Sequence, residues 1–457
     1  MSNRAQHRTS HLRISDLTLA LLLATLIVAA AISTPALQAQ TLTVLHTFTG
    51  EHDGQDGATP MSGVVMDRAG NLYGTTFLGG LHGDPGDSCY TFEFDGGCGT
   101  VFKLAKHGSN WIYSQLYKFN AAPDGNFPNG ITLGPDGTLY GTTYGGGFAG
   151  NQLCNNFFNG CGIAFRLQPQ PNICPSISCP WNETVLRAFT GQNGDGAIPN
   201  NGDMAFDSAG NIYGTTGMGG TTNYGTAYQL VPEQGGWAEN VVFNFDPSNQ
   251  NVANPNTGLI MDQAGNFYGS GGYDLGGNNP SGSIYQLVPS QSGWTLHALQ
   301  TFQCVGGLNG CYPGALTFDP QGNLVAPTGQ AGFYGQGTAI KLVASDNWSI
   351  DLLYTFTHGQ GYSSSRLTMD AAGNLYGVAA NCATGYGCIY KLVPSNGVYT
   401  FVDLYDFTGT SDGETPSGPV VIDANGNLYG TAQAAGNLSR CVGEGVNGCG
   451  TVWEFTP

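Results

Sequence analysis

The chain has 457 residues, of which 31 are acidic and 13 basic, and its formal net charge is −18 at pH 7. So few Lys and Arg argue against a nucleic-acid or anionic-membrane binder, which needs clustered positive charge. Hydrophobic residues make up 40% of the chain, which argues against disorder. The 72 glycines, set between short runs of Val, Thr, Tyr and Phe, indicate an all-β chain with many turns.

Residues 1–39 predict an export signal. Three arginines precede an apolar run, 17–32, that is slightly short for a membrane span. Cleavage is expected after Ala39, and an uncleaved N-terminal anchor is the alternative. No second apolar run of spanning length follows. We therefore expect a secreted, periplasmic or cell-surface protein, with no membrane span after signal cleavage and one domain over residues 40–457.

One segment recurs seven times along the rest of the chain, and its first copy reads Asp67-Arg-Ala-Gly-Asn-Leu-Tyr-Gly-Thr-Thr76. Its turn glycine stands at positions 70, 137, 210, 265, 322, 373 and 426, a period of about 59 residues. Each period holds four strand-like pieces, and Asp-x-x-Gly-Asn predicts a tight turn between the first two. The pattern predicts a seven-bladed β-propeller with four antiparallel strands per blade.

The fourth strand of each repeat has the sharpest pattern. An aromatic residue stands eight positions before a Phe, and a Leu or Val stands three before it, as in Trp111, Leu116 and Phe119. The Leu and the Phe differ in parity, so a regular strand would turn them to opposite faces. Both being apolar predicts blades that are covered on both sides.

The two ends of the repeat array complement each other. The last repeat lacks a fourth strand, and an unmatched fourth strand, 42–48, precedes the first repeat. Leu45 and Phe48 keep the spacing of the other fourth strands. We therefore expect the N-terminal strand to complete the last blade, which closes the ring and leaves no long exposed edge.

These repeats resemble the Gloeo/Verruco (GloVer) tandem repeat of exported bacterial proteins. The matching features are the Gly-Asn-Leu-Tyr-Gly-Thr-Thr core, the Gly-Thr-Val-Phe-Lys-Leu strand and the Leu-x-x-Phe strand. The resemblance covers nearly all of residues 41–457. It implies a surface or secreted location and supplies no catalytic residue to assign.

Twelve cysteines form six close pairs, which predict disulfides in an oxidising compartment. The pairs are Cys89 with Cys98, Cys154 with Cys161, Cys174 with Cys179, Cys304 with Cys311, Cys382 with Cys388 and Cys441 with Cys449. Zinc is the weaker alternative, because the chain has no Cys-x-x-Cys motif. Five pairs lie in loops expected on one face of the propeller, where strand two leads to strand three and strand four to the next strand one. Loops that disulfides stiffen on a rigid scaffold favour a binding site on this face. The alternative is that the disulfides only stabilise long glycine-rich loops.

The same loop face carries a recurring Asp/Asn-Gly-x-x-Pro pattern. In the simpler interpretation the Asp caps its own turn and the Pro begins an edge strand. The alternative is a ring of carboxylates at the channel mouth that binds Ca²⁺, a cationic ligand or a sugar. The candidate ligand-binding residues are Asp53, Asp56, Asp124, Asp195, Asp412 and Glu414.

The sequence shows no catalytic constellation and no phosphate loop. The recurring strand-two tyrosines, such as Tyr73, are interpreted as core residues rather than as a sugar-stacking platform. We expect a monomeric binding module, with an extracellular glycan or protein as partner and Ca²⁺ as the one candidate cofactor. A propeller hydrolase or lyase acting on extracellular polysaccharide or peptide is the alternative. Two or more carboxylates within about 10 Å, or an Asp/Glu–His pair in a deep channel pocket, would favour the enzyme, and a channel lined by Gly, Thr and backbone would favour binding.

Overall fold

The computed structural model describes residues 40–50, 56–80, 89, 96–108, 110–120, 122–148, 154, 159–170, 181–200, 203–248, 250–272, 281–361, 365–395, 397–439, 441 and 447–457. Residues Leu42–Thr456 form one compact unit. The predicted signal segment, Asp53, Cys174 and Cys179 lie outside the described residues. Within the described ranges, no helix is long and apolar enough to cross a membrane.

The described residues form seven antiparallel sheets, which confirm the predicted propeller and are named blades 1 to 7 in chain order. Blade 1 contains β2 (Val64–Met66), β3 (Leu72–Thr76), β4 (Thr100–His107) and β5 (Asn110–Lys118); blade 2 contains β6 (Gly125–Leu133), β7 (Leu139–Gly146), β8 (Ile163–Gln168) and β9 (Asn182–Ala188). Blade 3 contains β10 (Gly196–Pro199), β11 (Ala205–Phe206), β12 (Ile212–Gly219), β13 (Thr226–Glu233) and β14 (Gly236–Asn244); blade 4 contains β15 (Ile260–Met261), β16 (Phe267–Gly271), β17 (Ser283–Ser290) and β18 (Gly293–Thr301).

Blades 5 to 7 repeat the same order. Blade 5 contains β19 (Cys311–Pro313), β20 (Thr317–Phe318), β21 (Leu324–Gln330), β22 (Thr338–Val343) and β23 (Ser349–Thr355), with a short 3-10 helix at Ala344–Asp346 before the last strand. Blade 6 contains β24 (Thr368–Met369), β25 (Leu375–Ala379), β26 (Cys388–Ser395) and β27 (Val398–Asp406). Blade 7 contains β28 (Glu414–Ile422), β29 (Leu428–Ala434), β30 (Thr451–Thr456) and the N-terminal strand β1 (Thr41–Thr47).

The Asp-x-x-Gly-Asn turn joins strands one and two, and its aspartate holds the turn together. In blade 3, Asp207 Oδ1 accepts the backbone N–H groups of Ala209 and Asn211, both at 2.9 Å. Its Oδ2 accepts the Asn211 amide at 2.8 Å and the Tyr213 hydroxyl at 3.1 Å. The same four contacts recur at Asp67, Asp262, Asp370 and Asp423. The strand-two tyrosines are also buried, as in Tyr213, which confirms that they are core residues.

The fourth strand contains a β-bulge, which corrects the expectation of a regular strand. In blade 1, Val101 pairs with Tyr117 and Phe102 pairs with Gln115, so Leu116 is skipped. The extra residue changes the parity of the strand, and Leu116 and Phe119 both pack into the cluster between blades 1 and 2. The equivalent residue is skipped in five more blades, namely Leu186, Val242, Leu299, Leu353 and Leu404.

The hydrophobic core is divided among the interfaces between blades. Seven clusters of buried side chains are found among the described residues, one for each neighbouring pair of blades. The seventh joins blade 7 to blade 1 and contains Phe48, Val452, Val64 and Phe102. β1 pairs with β30 at the edge of blade 7. The predicted closure of the ring by the N-terminal strand is therefore confirmed.

Candidate functional site

Neighbouring blades are joined by a backbone hydrogen bond on the loop face. The residue before the proline of each Asp/Asn-Gly-x-x-Pro motif donates its N–H to the carbonyl that precedes strand three of the previous blade. Between blades 2 and 3, Ile198 donates to Cys161 at 2.8 Å. The other described pairs are Thr59 to Cys449, Phe127 to Cys98, Asn254 to Tyr224, Tyr312 to Ser281 and Thr415 to Tyr386. Among the described residues, the motif therefore positions the blade on the one before it in six of the seven blades, all except blade 6.

The proline of the motif packs against the glycine that opens strand three of the previous blade. A Cβ on Gly162 would lie 2.6 Å from Pro199 Cδ and 2.3 Å from the Thr143 carbonyl oxygen. Gly162 also has φ +85°, which disfavours other residues. The two repeat motifs noted in the sequence, Gly-Thr-Val-Phe and Asp-Gly-x-x-Pro, are thus the two halves of one joint.

The described candidate aspartates bind groups of their own loop and of the strand before it. Asp124 accepts hydrogen bonds from the Tyr117 hydroxyl and from two backbone N–H groups, at 2.8–3.0 Å. Asp195 accepts from Arg187 at 2.9 Å and from the backbone N–H of Thr190 at 2.7 Å. Burial raises the pKa of Asp124 above its ordinary value.

Asp56 and Asp412 occupy the same place in blades 1 and 7. Asp56 contacts His46 and the backbone N–H of Thr49, both at 2.9 Å. Asp412 accepts from the Tyr405 hydroxyl at 2.9 Å and from Thr408. Burial alone would raise the pKa of both carboxyls, but these hydrogen bonds lower it below the ordinary value. The contacts match the turn-capping interpretation.

Glu414 begins β28, and burial raises its pKa. None of the described candidate carboxylates lines the central cavity. One group of potential metal ligands among the described residues, Cys382, Cys388 and Asp406, contains two sulfurs that already form a disulfide. Calcium binding by the predicted carboxylates stays a prediction.

Five of the six predicted disulfides are present, namely Cys89–Cys98, Cys154–Cys161, Cys304–Cys311, Cys382–Cys388 and Cys441–Cys449. The sixth predicted disulfide, between Cys174 and Cys179, lies outside the described residues and stays a prediction. All five described bonds lie in loops of the predicted face.

The disulfides also bear on the joints between blades. Three of their cysteines, Cys98, Cys161 and Cys449, supply the carbonyls that accept the hydrogen bonds between blades. These disulfides therefore hold the acceptors of the hydrogen bonds between blades as well as the loops. They also suit an oxidising compartment.

A cavity of about 980 Å³ lies at the centre of the ring. All seven blades contribute to its wall, chiefly through their first strands and the residues just before them. About half of the lining consists of Gly, Ser, Thr and amide residues, such as Asn129 and Asn256, and most of the rest is apolar or aromatic. Neither residue was singled out by the sequence, because each is an unremarkable polar residue after a motif proline.

Aromatic rings form one side of the cavity. Phe77 follows the second strand of blade 1 and Tyr144 lies near the end of the second strand of blade 2, and their ring centroids are 6.1 Å apart in an edge contact. Burial raises the pKa of Tyr144, so its hydroxyl stays protonated near neutral pH. The same repeat position is small or polar in the other blades: Gly217, Gly272, Gly329, Ala380 and Gln433. The cavity is therefore asymmetric, with an aromatic wall of Phe77 and Tyr144 on blades 1 and 2 and one further aromatic residue, Tyr312, on blade 5.

An ion pair crosses the cavity. Arg366, before β24, donates through Nη2 to Oδ2 of Asp203, before β11, at 2.6 Å. Their blades, 6 and 3, lie on opposite sides of the ring, and the residues are 163 positions apart. The side chains keep 27% and 30% of their surface exposed, so both reach the cavity space.

Asp203 and Arg366 occupy the same position of the repeat, four residues before the turn aspartate. The other five blades have Gly63, Gly130, Gly258, Ala315 and Pro419 there. Aligning the repeats on the turn aspartate would have marked these two charges as departures from a small-residue position. Their contact could not be predicted from the sequence, since it depends on the diameter of the closed ring.

Two further carboxylates lie between the blades, away from the cavity. Burial and the neighbouring charge of Asp124 raise the pKa of Glu183, on β9, to about 7. Glu239, on β14, is 5% exposed and lies 2.6 Å from Arg187. Burial and the charge of Asp195 raise the pKa of Glu239 to about 7 against the opposing effect of Arg187. These groups affect the pH dependence of stability.

Several solved structures are similar in fold. A polysaccharide lyase, Uly1, is 11% identical, with 94% of this chain and 95% of the lyase covered and a TM-score of 0.49. An aldose sugar dehydrogenase from Streptomyces coelicolor is 13% identical, with 93% and 100% covered and a TM-score of 0.43. PorZ, a surface component of the type-IX secretion system of Porphyromonas gingivalis, is 14% identical, with 84% and 46% covered and a TM-score of 0.47.

No curated protein matches the sequence. A family profile does match it, the Gloeobacter/Verrucomicrobia repeat, over residues 152–381 and 312–457. Together these ranges span well over half of the chain, and they contain the glycine-rich turns and strand-three motifs of blades 3 to 7. The chain belongs to the Gloeobacter/Verrucomicrobia repeat family.

Proposed function

We propose that the protein is an exported binding module that holds an extracellular glycan in the central cavity of its loop face. The observation that supports this proposal is the lining of the cavity. An aromatic wall, Phe77 and Tyr144, stands beside amide and hydroxyl groups such as those of Asn256 and Thr257. Sugars are bound by this combination, because aromatic rings pack against their C–H faces and amides bond to their hydroxyls.

Two other features support an exported location. Residues 1–39 have the pattern of an export signal. Five disulfides favour an oxidising compartment outside the cytoplasm. An exported protein would act where extracellular glycans are present.

A hydrolase or lyase is the competing function. Two carboxylates are needed at about 5–10 Å for the common glycosidase mechanisms. The described lining of the cavity contains one carboxylate, Asp203, and that carboxylate is ion-paired. This composition supports binding over catalysis.

The test is a thermal-shift screen of the chain from residue 40 against neutral and acidic glycans and against Ca²⁺ alone, with product release followed in parallel. A bound glycan raises the melting temperature, since it binds the folded chain and not the unfolded one. We expect a rise without product, lost in Phe77→Ala and kept in Phe333→Ala, whose ring is 74% exposed and outside the cavity lining. No shift with any glycan would contradict the proposal, and released product would assign the protein to the enzymes.

A further inference from the structure

We infer that the Asp203–Arg366 pair is the recognition centre of the cavity and that it selects a neutral sugar with adjacent hydroxyl groups. This inference rests on the proposed function, because it names the ligand class of the same cavity. It gives two residues of the cavity, Asp203 and Arg366, a defined chemical role. Neither was among the candidate ligand-binding residues that the sequence suggested.

The two charges stand at a position where the repeat otherwise has small residues. Five blades have Gly, Ala or Pro there, and blades 3 and 6 have Asp and Arg. The chain has only 13 basic residues, and Arg366 is the one cation in the described lining of the cavity. A partly exposed ion pair contributes little to stability, and a packed apolar pair would hold the ring as well or better. Structural bracing alone therefore explains the charges poorly.

The pair keeps hydrogen-bonding capacity for a ligand. The guanidinium has five N–H donors, and among the described residues its bond to Asp203 uses one of them. The Asp203 carboxylate can accept several hydrogen bonds. A donor group and an acceptor group thus lie side by side and suit adjacent sugar hydroxyls, each of which can both donate and accept.

The electrostatics of the cavity favour a neutral ligand. The pair is neutral as a unit, and the whole chain has a net charge of −18. A uronate or sulfated sugar would meet this repulsive field and find Arg366 already engaged by Asp203. A neutral sugar avoids both costs. The aromatic wall of Phe77 and Tyr144 belongs to the same cavity and can pack against the sugar ring.

The experiment measures affinity by calorimetry for the chain from residue 40. The probes are three neutral hexasaccharides, maltohexaose, cellohexaose and xylohexaose, with hexagalacturonate as the acidic counterpart. The decisive variant is the charge swap Asp203→Arg/Arg366→Asp, which keeps an ion pair across the ring but moves the donor and the acceptor to opposite sides. Asp351→Asn, in the exposed pair with Lys341 of blade 5, is the matched control.

We expect at least one neutral hexasaccharide to bind, and hexagalacturonate to bind at least tenfold more weakly. The charge swap should keep the melting temperature within a few degrees and weaken binding at least about tenfold. If the swap does not fold, Asp203→Asn provides the test, since it keeps the shape and removes the carboxylate. Asp351→Asn should bind like the unchanged protein.

The remaining outcomes distinguish failure of the recognition role, of the neutral ligand class and of the proposed function. A folded charge swap, or a folded Asp203→Asn, that binds as tightly as the unchanged protein would overturn the recognition role and leave the proposed function standing. Preference for hexagalacturonate would overturn the neutral ligand class. Failure of all four probes, together with failure of the wider glycan screen, would overturn the proposed function itself.

Discussion

At the scale of single residues, the pKa values of carboxylates in the repeat shift in both directions. Burial alone would raise the pKa of Asp207, but hydrogen bonds from Asn211 and Tyr213 lower it below the ordinary value. A lowered folded pKa adds stability above the pKa of the unfolded chain, and this stability is lost as the pH falls through the folded pKa. The same turn occurs in five blades, so we expect acid to unfold the protein cooperatively below about pH 4. Circular dichroism along an acid titration measures this transition, and a chain that stays folded at about pH 2 would contradict it.

Glu183 titrates in the opposite sense. Its folded pKa is about 7, above the unfolded value of about 4.3. The stability that the protonated form supplies is complete below the unfolded pKa and is lost as the pH rises through 7. We therefore compare the free energy of unfolding of Glu183→Gln with that of the unchanged protein at pH 5 and at pH 8. The difference in favour of the variant should be about 1 kcal/mol larger at pH 8 than at pH 5, after solvent screening.

Urea unfolding of the Glu183→Gln variant at the two pH values measures this gain. Glu233→Gln is the control, because Glu233 is exposed at the end of β13. Parallel pH profiles for Glu183→Gln and the unchanged protein would show that the buried carboxylate has no such effect.

At the scale of the element, the joint between blades makes a specific prediction. Gly162 and Gly210 have nearly the same φ, +85° and +84°. A Cβ on Gly162 would contact Pro199 and the Thr143 carbonyl, whereas a Cβ on Gly210 would have nothing within 4 Å. Both substitutions to Ala strain the backbone, but only Gly162→Ala also forces two blades apart. We expect Gly162→Ala to lower the free energy of unfolding by at least about 2 kcal/mol more than Gly210→Ala.

Chemical denaturation of the two glycine variants gives this difference directly. Because the backbone angle is matched, the comparison isolates the contacts that a Cβ at position 162 would make with Pro199 of the next blade and with the Thr143 carbonyl of its own blade. Equal destabilisation would mean that these close contacts do not constrain the packing of the two blades.

The sequence predicted the elements that are set by local chemistry. The turn residues around Asp207 and the period of the strands determine seven like sheets, and the buried Tyr213 follows from both. The bulge at Leu116 was missed, because an apolar residue of the wrong parity has two explanations, a covered second face or an extra residue. The Asp203–Arg366 contact was missed for a different reason, since it depends on distances across the closed ring.

At the scale of the whole molecule, the ring depends on its N-terminal strand. Phe48 is fully buried in the cluster that joins blades 7 and 1. Removing residues 40–48 would delete this side chain and expose the edge of β30. Loss of one buried Phe alone costs about 3–5 kcal/mol, and an open edge favours aggregation.

We therefore expect a chain that starts at residue 49 to aggregate or to lose its cooperative thermal transition, as measured by size-exclusion chromatography and calorimetry. A chain that starts at residue 40 should be monodisperse. A synthetic peptide of residues 40–48 added in trans should restore the transition. A chain starting at residue 49 that melts like the longer one would show that the ring does not need this strand.

The cavity at the axis of the ring is where we expect a glycan to bind. A crystal structure of the chain from residue 40, soaked with the hexasaccharide that raises the melting temperature most, tests this placement directly. We predict density for sugar inside the cavity, with hydroxyls within hydrogen-bonding distance of Asp203 and Arg366 and a ring packed on Phe77 or Tyr144. Sugar bound only at the outer edges of the blades, with the cavity filled by water, would contradict it.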